Sequence, residues 1–300
     1  NCPFCPGNEE AELEEMRIPA GNPWQVRIVG NRYPALTQTT PLEREYTGLV
    51  RRISGVGYHE VIVETQIHNT CAALERPVDL TRVFQAFIDR AWAIQQDRRI
   101  EYILFFKNHG RQAGASLRHP HAQLMALPMV PSEVRVRADT AHAHFDEVGA
   151  CVYCEMLREE LADGQRIILE SEHFAAFSPY AASTPFHVWI VPKQHSASLL
   201  HATPAVLEDL GRSLHFILRS LYVGLNNPDF NYVLRSAPVR DLDAPYLHWY
   251  MTIVPRMSLA AGFELGSGIY INPSLPEECA DYLRTVASSP LNGFHAYGAD

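Results

Sequence analysis

The sequence predicts an α+β fold made of two repeated units, each an antiparallel sheet with one packed helix. Three observations predict it. Two C-x-x-C pairs, Cys2-Pro3-Phe4-Cys5 and Cys151-Val152-Tyr153-Cys154, lie 149 residues apart in a chain of 300. Each pair is followed by the same order of segments: an apolar strand running into a His, a helix, a second strand, and a His-bearing strand that ends in Pro. His68 and His121 are separated by 53 residues, and so are His195 and His248. Self-similarity at half the chain length points to a duplicated unit, and several strands with one helix per unit point to antiparallel sheets. The units are expected at residues 1–145 and 146–300, as a pseudo-symmetric pair.

The elements follow in order. Tyr58-His59-Glu60-Val61-Ile62-Val63 and Phe186-His187-Val188-Trp189-Ile190-Val191 are the first apolar strands, leading to His68 and His195. Thr81 to Asp97 carries Val83, Phe84, Phe87, Ala91 and Ile94 at helical spacing. Pro204 to Tyr222 carries Val206, Leu207, Leu210, Leu214, Ile217 and Leu221 in the same way. Both stripes read as core faces. Tyr102 to Phe106 and Phe230 to Leu234 are the next strands. His119 to Pro128 and His248 to Pro255 are the last. The N-terminal unit holds about 20 extra residues between Tyr33 and His59, which read as a loop insertion.

Composition bounds the function. With 47% hydrophobic residues the chain can bury a core, so disorder is excluded. A net charge of −9 denies it the basic field that sequence-blind nucleic-acid binding needs. No run reaches the ~18 apolar residues of a membrane-spanning helix. The chain opens at Asn1 without Met and without a charged-then-apolar leader, so its start reads as trimmed. The expected compartment is the cytoplasm. Six cysteines in 300 residues are too few for a secreted disulfide scaffold. Paired C-x-x-C spacing with 14 His suggests metal sites, because such a turn aims two thiolates at one ion, while a redox pair is the alternative. Cys71 and Cys279 lack a partner pattern and read as buried small hydrophobes.

His119, His121 and Gln123 alternate along one strand and so project from one face. They are either chemical groups or hydrogen-bonded core residues. The preceding segment, Lys107 to Ser116, has the glycines and side-chain donors to wrap a phosphate.

Together, Asn108, Gly114, Ser116 and the run His119-Pro120-His121-Ala122-Gln123 resemble the signature of galactose-1-phosphate uridylyltransferases, within the histidine-triad superfamily. The resemblance extends from the first C-x-x-C to about Asn272. It implies two histidine-triad-like units in one chain. It implies that His121 is the nucleophile and takes a nucleotidyl group from a nucleotide sugar, UDP- or ADP-hexose, in a ping-pong reaction. The acceptor would be a hexose 1-phosphate. Gln123 would donate to the phosphoryl oxygen, with Asn108, Gly114 and Ser116 at the phosphates. Asn31 would lie at the base and ribose, and Glu264 at the hexose hydroxyls. Cys2, Cys5, His68 and His119 would hold a structural zinc. Cys151, Cys154, His195 and His248 would hold a second, as in the ADP-glucose phosphorylase branch. With Tyr250 and Thr252 after His248, the C-terminal unit would be catalytically silent.

Some positions depart from the uridylyltransferase pattern: Arg32 replaces an Asp, Tyr270 a Gln and Ser258 a Lys. Residues 266–273 lean instead towards the phosphorylase branch, whose acceptor is inorganic phosphate. A zinc-stapled nucleotide-binding module without catalysis is the reading from another class. The expected partners are a nucleotide sugar and a sugar 1-phosphate or phosphate, with no nucleic acid and no membrane. The resemblance also allows a homodimer.

Overall fold

A computed structural model describes residues 2–287. The last stretch expected for the C-terminal unit, residues 288–300, and the opening Asn1 lie outside them. The strands and helices in chain order are β1 (Glu14–Ile18), β2 (Val26–Gly30), β3 (Arg44–Thr47), β4 (Val50–Ile53), β5 (Tyr58–Val63), α1 (Pro77–Ile94), β6 (Tyr102–His109), β7 (His121–Leu127), α2 (Ser132–Val148) and α3 (Val152–Asp163). Then follow β8 (Ile167–Glu170), β9 (Phe174–Phe177), β10 (Val188–Pro192), α4 (Pro204–Gly224), β11 (Phe230–Arg235), β12 (Tyr250–Pro255), α5 (Gly262–Ser267) and α6 (Pro276–Ala287).

Ten strands form one antiparallel sheet in the order β1-β2-β5-β7-β6-β11-β12-β10-β9-β8. The order is a mirror about the β6–β11 pair, where Phe230 faces His109 and Leu234 faces Phe105. Each half therefore repeats the other: β5 matches β10, β7 matches β12, and α1 matches α4. The fold is α+β, as the repeat predicts. No described helix is long and apolar enough to cross a membrane.

Strand alternation divides the sheet into two faces. Ala122, Leu124 and Ala126 of β7, with Met251 and Ile253 of β12, point into the main core under α1 and α4. The two helices also pack on each other. Gly211 permits that contact: a Cβ there would overlap Thr81 Oγ1 and stand 2.7 Å from Pro77 O. The opposite face carries His121 and Gln123 in one half and Tyr250 and Thr252 in the other. Two small apolar clusters cover its flanks. Phe4, Trp24, Val29, Val61 and Val63 lie under the first C-x-x-C. Leu157, Ala175, Phe177, Val191 and Tyr250 lie under the second.

Several expectations are adjusted. Helix α1 starts at Pro77 rather than Thr81, because Pro suits the first helical turn and Asp79 Oδ2 accepts the Arg76 N–H at 3.3 Å. The insertion between Tyr33 and His59 contains the exposed hairpin β3–β4. Helices α2, α3 and α6 had no reading in the sequence. Their apolar stripes are thin: α2 buries Val134 and Ala141, and α3 buries Leu157 and Glu160. Cys71 and Cys279 are buried as expected.

Candidate active site and metal centres

Cys2 and Cys5 sit on a turn at the N-terminus, whereas Cys151 caps α3 and Cys154 lies in its first turn. Different backbones thus deliver the same donors. In the first cluster Cys5 Sγ is 3.3 Å from His68 Nδ1 and 3.7 Å from His119 Nδ1, and Cys2 Sγ is 3.7 Å from His119 Nδ1. In the second, Cys154 Sγ is 3.4 Å from His195 Nδ1 and 3.3 Å from His248 Nδ1. The four ligand atoms of each set lie within 4.8 Å of one another. A tetrahedral ion bound at ~2.0–2.3 Å separates its ligands by roughly 3.3–3.8 Å, so these spacings fit one ion per cluster. His119 Nε2 donates to Thr65 O at 2.8 Å, and His248 Nε2 donates to Pro192 O at 3.0 Å. A carbonyl only accepts, so each ring carries its proton on Nε2 and turns the Nδ1 lone pair inward.

His119 and His248 both stand two residues before their strands begin. The equal 53-residue spacings therefore pair residues that are not equivalent. The ladder aligns Gln123, which faces Val61 and Phe106, with Thr252, which faces Trp189 and Val233. His121 then matches Tyr250, Asn108 matches Arg235, and His59 matches His187. His119 also does not converge with His121 and Gln123: it precedes β7 and turns to the cysteines.

His121 is the first residue of β7 and is buried. Its Nδ1–H donates to His119 O at 2.8 Å, which leaves the Nε2 lone pair free. Burial, reinforced by the Lys107 charge, holds its pKa below the ordinary imidazole value, while the His119 carbonyl and Glu64 pull the other way. Beneath the strand lies a buried ion pair: Lys107 Nζ is 2.5 Å from Glu64 Oε2 and donates to His121 O at 3.2 Å. Tyr232 OH donates to the other Glu64 oxygen at 3.3 Å.

Gln123 is held by a residue that sequence reasoning assigned no role. The Ala35 N–H donates to His59 Nδ1 at 3.1 Å, so a neutral His59 carries its proton on Nε2. That proton meets Gln123 Oε1 at 3.0 Å. With Oε1 engaged, Gln123 presents its NH₂ as the free end. Asn31 lies beside this group, its Oδ1 accepting the Tyr33 N–H at 2.9 Å; its Nδ2 is 3.1 Å from His59 Nε2, but both are donors in this tautomer and form no bond. Arg32 does not join it: the side chain is exposed and its ion pair is with Glu10 at 3.6 Å.

Asn108 ends up in the same state as Gln123. Asn231 Nδ2 donates to Asn108 Oδ1 at 2.7 Å and to Ala113 O at 2.9 Å. Arg256 Nε in turn donates to Asn231 Oδ1 at 2.5 Å. Asn108 Nδ2 stays free as a donor. Gly114 lies beside it with φ +89°, a conformation that glycine adopts without strain. Ser116 is exposed at the rim of that loop. Two oriented amides on the face of a free imidazole nitrogen can bind and polarise a phosphoryl group.

Glu264 is not brought to this group. It lies in the first turn of α5 and accepts the Ala261 N–H at 2.9 Å, which lowers its pKa. Among the described residues no hydrogen bond links it to the His121 cluster. His59, Glu64, Lys107 and Asn231 were missed as site residues. A signal for His59 existed, because the repeat places Tyr58-His59 opposite Phe186-His187. None existed for the others, whose partners are 14 to 168 residues distant and lie on other elements.

Residues 1–131 match the family model described as galactose-1-phosphate uridyl transferase, N-terminal domain. Residues 83–289 match a model described as a domain of unknown function (DUF4921). ADP-glucose phosphorylase of Arabidopsis thaliana is 39% identical over 96% of this chain and 82% of its own length. Galactose-1-phosphate uridylyltransferase of Thermotoga maritima is 29% identical over 94% of this chain and 88% of its own. The crystal structure of the Arabidopsis thaliana ADP-glucose phosphorylase with bound ADP-glucose superposes with a TM-score of 0.85, at 37% identity, over 97% of this chain and 90% of that one. A uridylyltransferase structure gives the same TM-score at 28% identity, over 96% of this chain and 91% of that one. The chain is therefore an enzyme of the galactose-1-phosphate uridylyltransferase family, a group of nucleotidylyltransferases that includes the ADP-glucose phosphorylase branch.

Proposed function

We propose that His121 Nε2 attacks the α-phosphorus of a nucleotide sugar and carries the nucleoside monophosphate to a second phosphate. The P–O bond to the sugar phosphate breaks as the N–P bond forms, and the sugar 1-phosphate leaves. In the second half-reaction the acceptor phosphate oxygen displaces the imidazole. The observation that carries this reading is the His121 Nδ1–H bond to the His119 carbonyl. It fixes the tautomer and leaves one unprotonated nitrogen beside the NH₂ groups of Gln123 and Asn108. His59 acts through Gln123 by holding its amide in one orientation.

We assign adenine nucleotide and inorganic phosphate as the preferred donor base and acceptor. The 39% identity to an ADP-glucose phosphorylase supports this, and so does Arg32 in place of the ribose-binding acid expected of a uridylyltransferase. The second reading takes hexose 1-phosphate as acceptor. The uridyl transferase model matched over residues 1–131 favours it. Incubation with ADP-glucose or UDP-glucose, followed by intact mass measurement, distinguishes the nucleotides. An AMP-sized adduct that phosphate discharges supports the first reading. A UMP-sized adduct discharged only by galactose 1-phosphate overturns it.

Zinc suits both Cys₂His₂ sets, with Cys2, Cys5, His68 and His119 holding one ion and Cys151, Cys154, His195 and His248 the other. Four protein donors leave no open position, so the metal would be structural. It would staple Thr65 and His119 next to the nucleophile. On this reading residues 1–145 carry the nucleotidyl chemistry and residues 146–300 contribute substrate contacts, Glu264 among them. Leu259 and Leu265 beside Glu264 are 82% and 80% exposed. Pairing of two chains over this segment would cover them, and light scattering tests for such a homodimer. Six thiols, four of them set as metal ligands, suit a reducing compartment such as the cytoplasm.

A further inference from the structure

On the sheet face that carries the nucleophile, but in the C-terminal half, a narrow cleft opens between α2 and β11. Arg137, Tyr153, Arg235, Ser236, His248 and Tyr250 line it. Both arginines are half-buried. Neither makes an ion pair or hydrogen bond with a described residue. Each is within range to repel the other, and Glu133, the acid whose charge reaches Arg235, forms no ion pair with it. Most other half-buried arginines are matched, as Arg90 is to Glu60 at 2.5 Å and Arg166 to Glu160 at 2.9 Å, with Arg219 an exception, but only Arg137 and Arg235 are unmatched side by side. Two adjacent cations held part-way out of water without a counter-charge are costly.

The surrounding phenols do not neutralise them. Burial raises the pKa of Tyr102, so its hydroxyl stays protonated as a donor. The Tyr102 hydroxyl lies in the field of both arginines and is fully buried, yet makes no sound hydrogen bond. The cleft thus offers two guanidinium forks and phenolic O–H groups, and contains no acid. Its enclosed volume, about 30 Å³, seats an oxygen or two with the rest of the ligand at the open mouth. That excludes a nucleotide base.

The ladder register shows what this place is. Arg235 stands where Asn108 stands in the other half, and Tyr250 stands where His121 does. The C-terminal half has exchanged the nucleophile for a phenol and an amide donor for a permanent charge. We propose that the Arg137–Arg235 cleft is a second, non-reacting site for a phosphate dianion, either inorganic phosphate or the phosphate of a sugar 1-phosphate. Guanidinium forks match paired oxygens two at a time, which disfavours chloride, and a dianion answers both cations where a single carboxylate carries one charge. The site rests on the cleft's own charges and stands apart from the reaction assigned to His121.

Isothermal titration of the intact chain with inorganic phosphate, and separately with glucose 1-phosphate, tests it. Arg137→Gln lies on a half-exposed helix face and should fold with an unchanged circular dichroism spectrum. It should remove one phosphate per chain from the wild-type count, or weaken that site at least tenfold. Arg235→Gln should do the same. The titrant that shows the loss identifies the source. The nucleotidyl adduct on His121 should form at the wild-type rate in Arg137→Gln. Unchanged isotherms for both titrants in both variants overturn the proposal. So does loss of the adduct in Arg137→Gln, which would place Arg137 in the catalytic site.

Discussion

The two halves of the sheet share a ladder, a helix and a Cys₂His₂ set, yet differ at the three positions that matter for phosphate chemistry. His121, Gln123 and Asn108 in one half become Tyr250, Thr252 and Arg235 in the other. The Cys₂His₂ sets and their carbonyl partners are retained, and each set joins a turn or a helix start to its strand. The positioning histidine is also retained: His59 meets Gln123 at 3.0 Å and His187 meets Thr252 at 2.7 Å. On the proposed reading, duplication preserves what holds the strands in place and changes what reacts. A neutral imidazole with one free nitrogen can accept a phosphoryl group, and a protonated phenol cannot.

The sharpest way to break this comparison is at His121, the proposed nucleophile. His121→Ala should keep its fold and lose the covalent adduct, with turnover falling by at least about 10⁴-fold. Tyr250→Phe should keep both. An adduct in His121→Ala, read by intact mass, would show that the halves are not divided in this way.

Metal removal comes next in size. Elemental analysis should find about two zinc equivalents per chain, and Cys5→Ala and Cys154→Ala should each retain about one. Structural zinc supplies folding energy directly, so both variants should melt at lower temperature. His195 is exposed whereas His68 is half-buried, so a chelator should strip the second cluster first. Release in the opposite order, followed by absorbance of a zinc-responsive dye, would reverse that ranking.

The oriented amides should have smaller effects. Gln123→Ala and Asn108→Ala should each slow adduct formation by roughly 10²-fold, as for other lost oxyanion donors. His59→Phe should have a weaker effect, about tenfold, because the amide stays but loses its hold. Gln123→Ala made in the His59→Phe background should then cost little more than Gln123→Ala alone. Additive losses in a double-mutant cycle would show that His59 does not work through Gln123.

The smallest effect concerns acid stability. Burial, assisted by the Arg235 charge, lowers the His187 pKa from 6.5 to about 4. The unfolded chain therefore binds this proton first as pH falls. The contribution is complete above pH 6.5 and is lost progressively down to pH 4, at about 1.4 kcal/mol per pH unit for one proton. His187→Gln should flatten the denaturation midpoint in that window by one proton's slope. An unchanged slope would mean that His187 is charged in the folded state.

The repeat, the strands and helices that it duplicates and the two Cys₂His₂ groupings were legible without coordinates. They depend on local rules: a two-residue strand period, a 3.6-residue helix period, and short spacings such as C-x-x-C and His-x-His. Chemistry and local periodicity leave marks within a few neighbouring residues. The exact equivalence of the halves was not legible. The matched 53-residue spacings paired His248 with His121, and the cross-strand register aligns it with His119, two residues earlier on the same face, a shift that side-chain alternation alone cannot reveal. The Lys107–Glu64 pair under His121, the Asn231 brace on Asn108 and the Arg137–Arg235 cleft belong wholly to the tertiary structure. Each joins side chains from separate elements, and the field at such a place is set by which neighbours packing supplies and which it withholds.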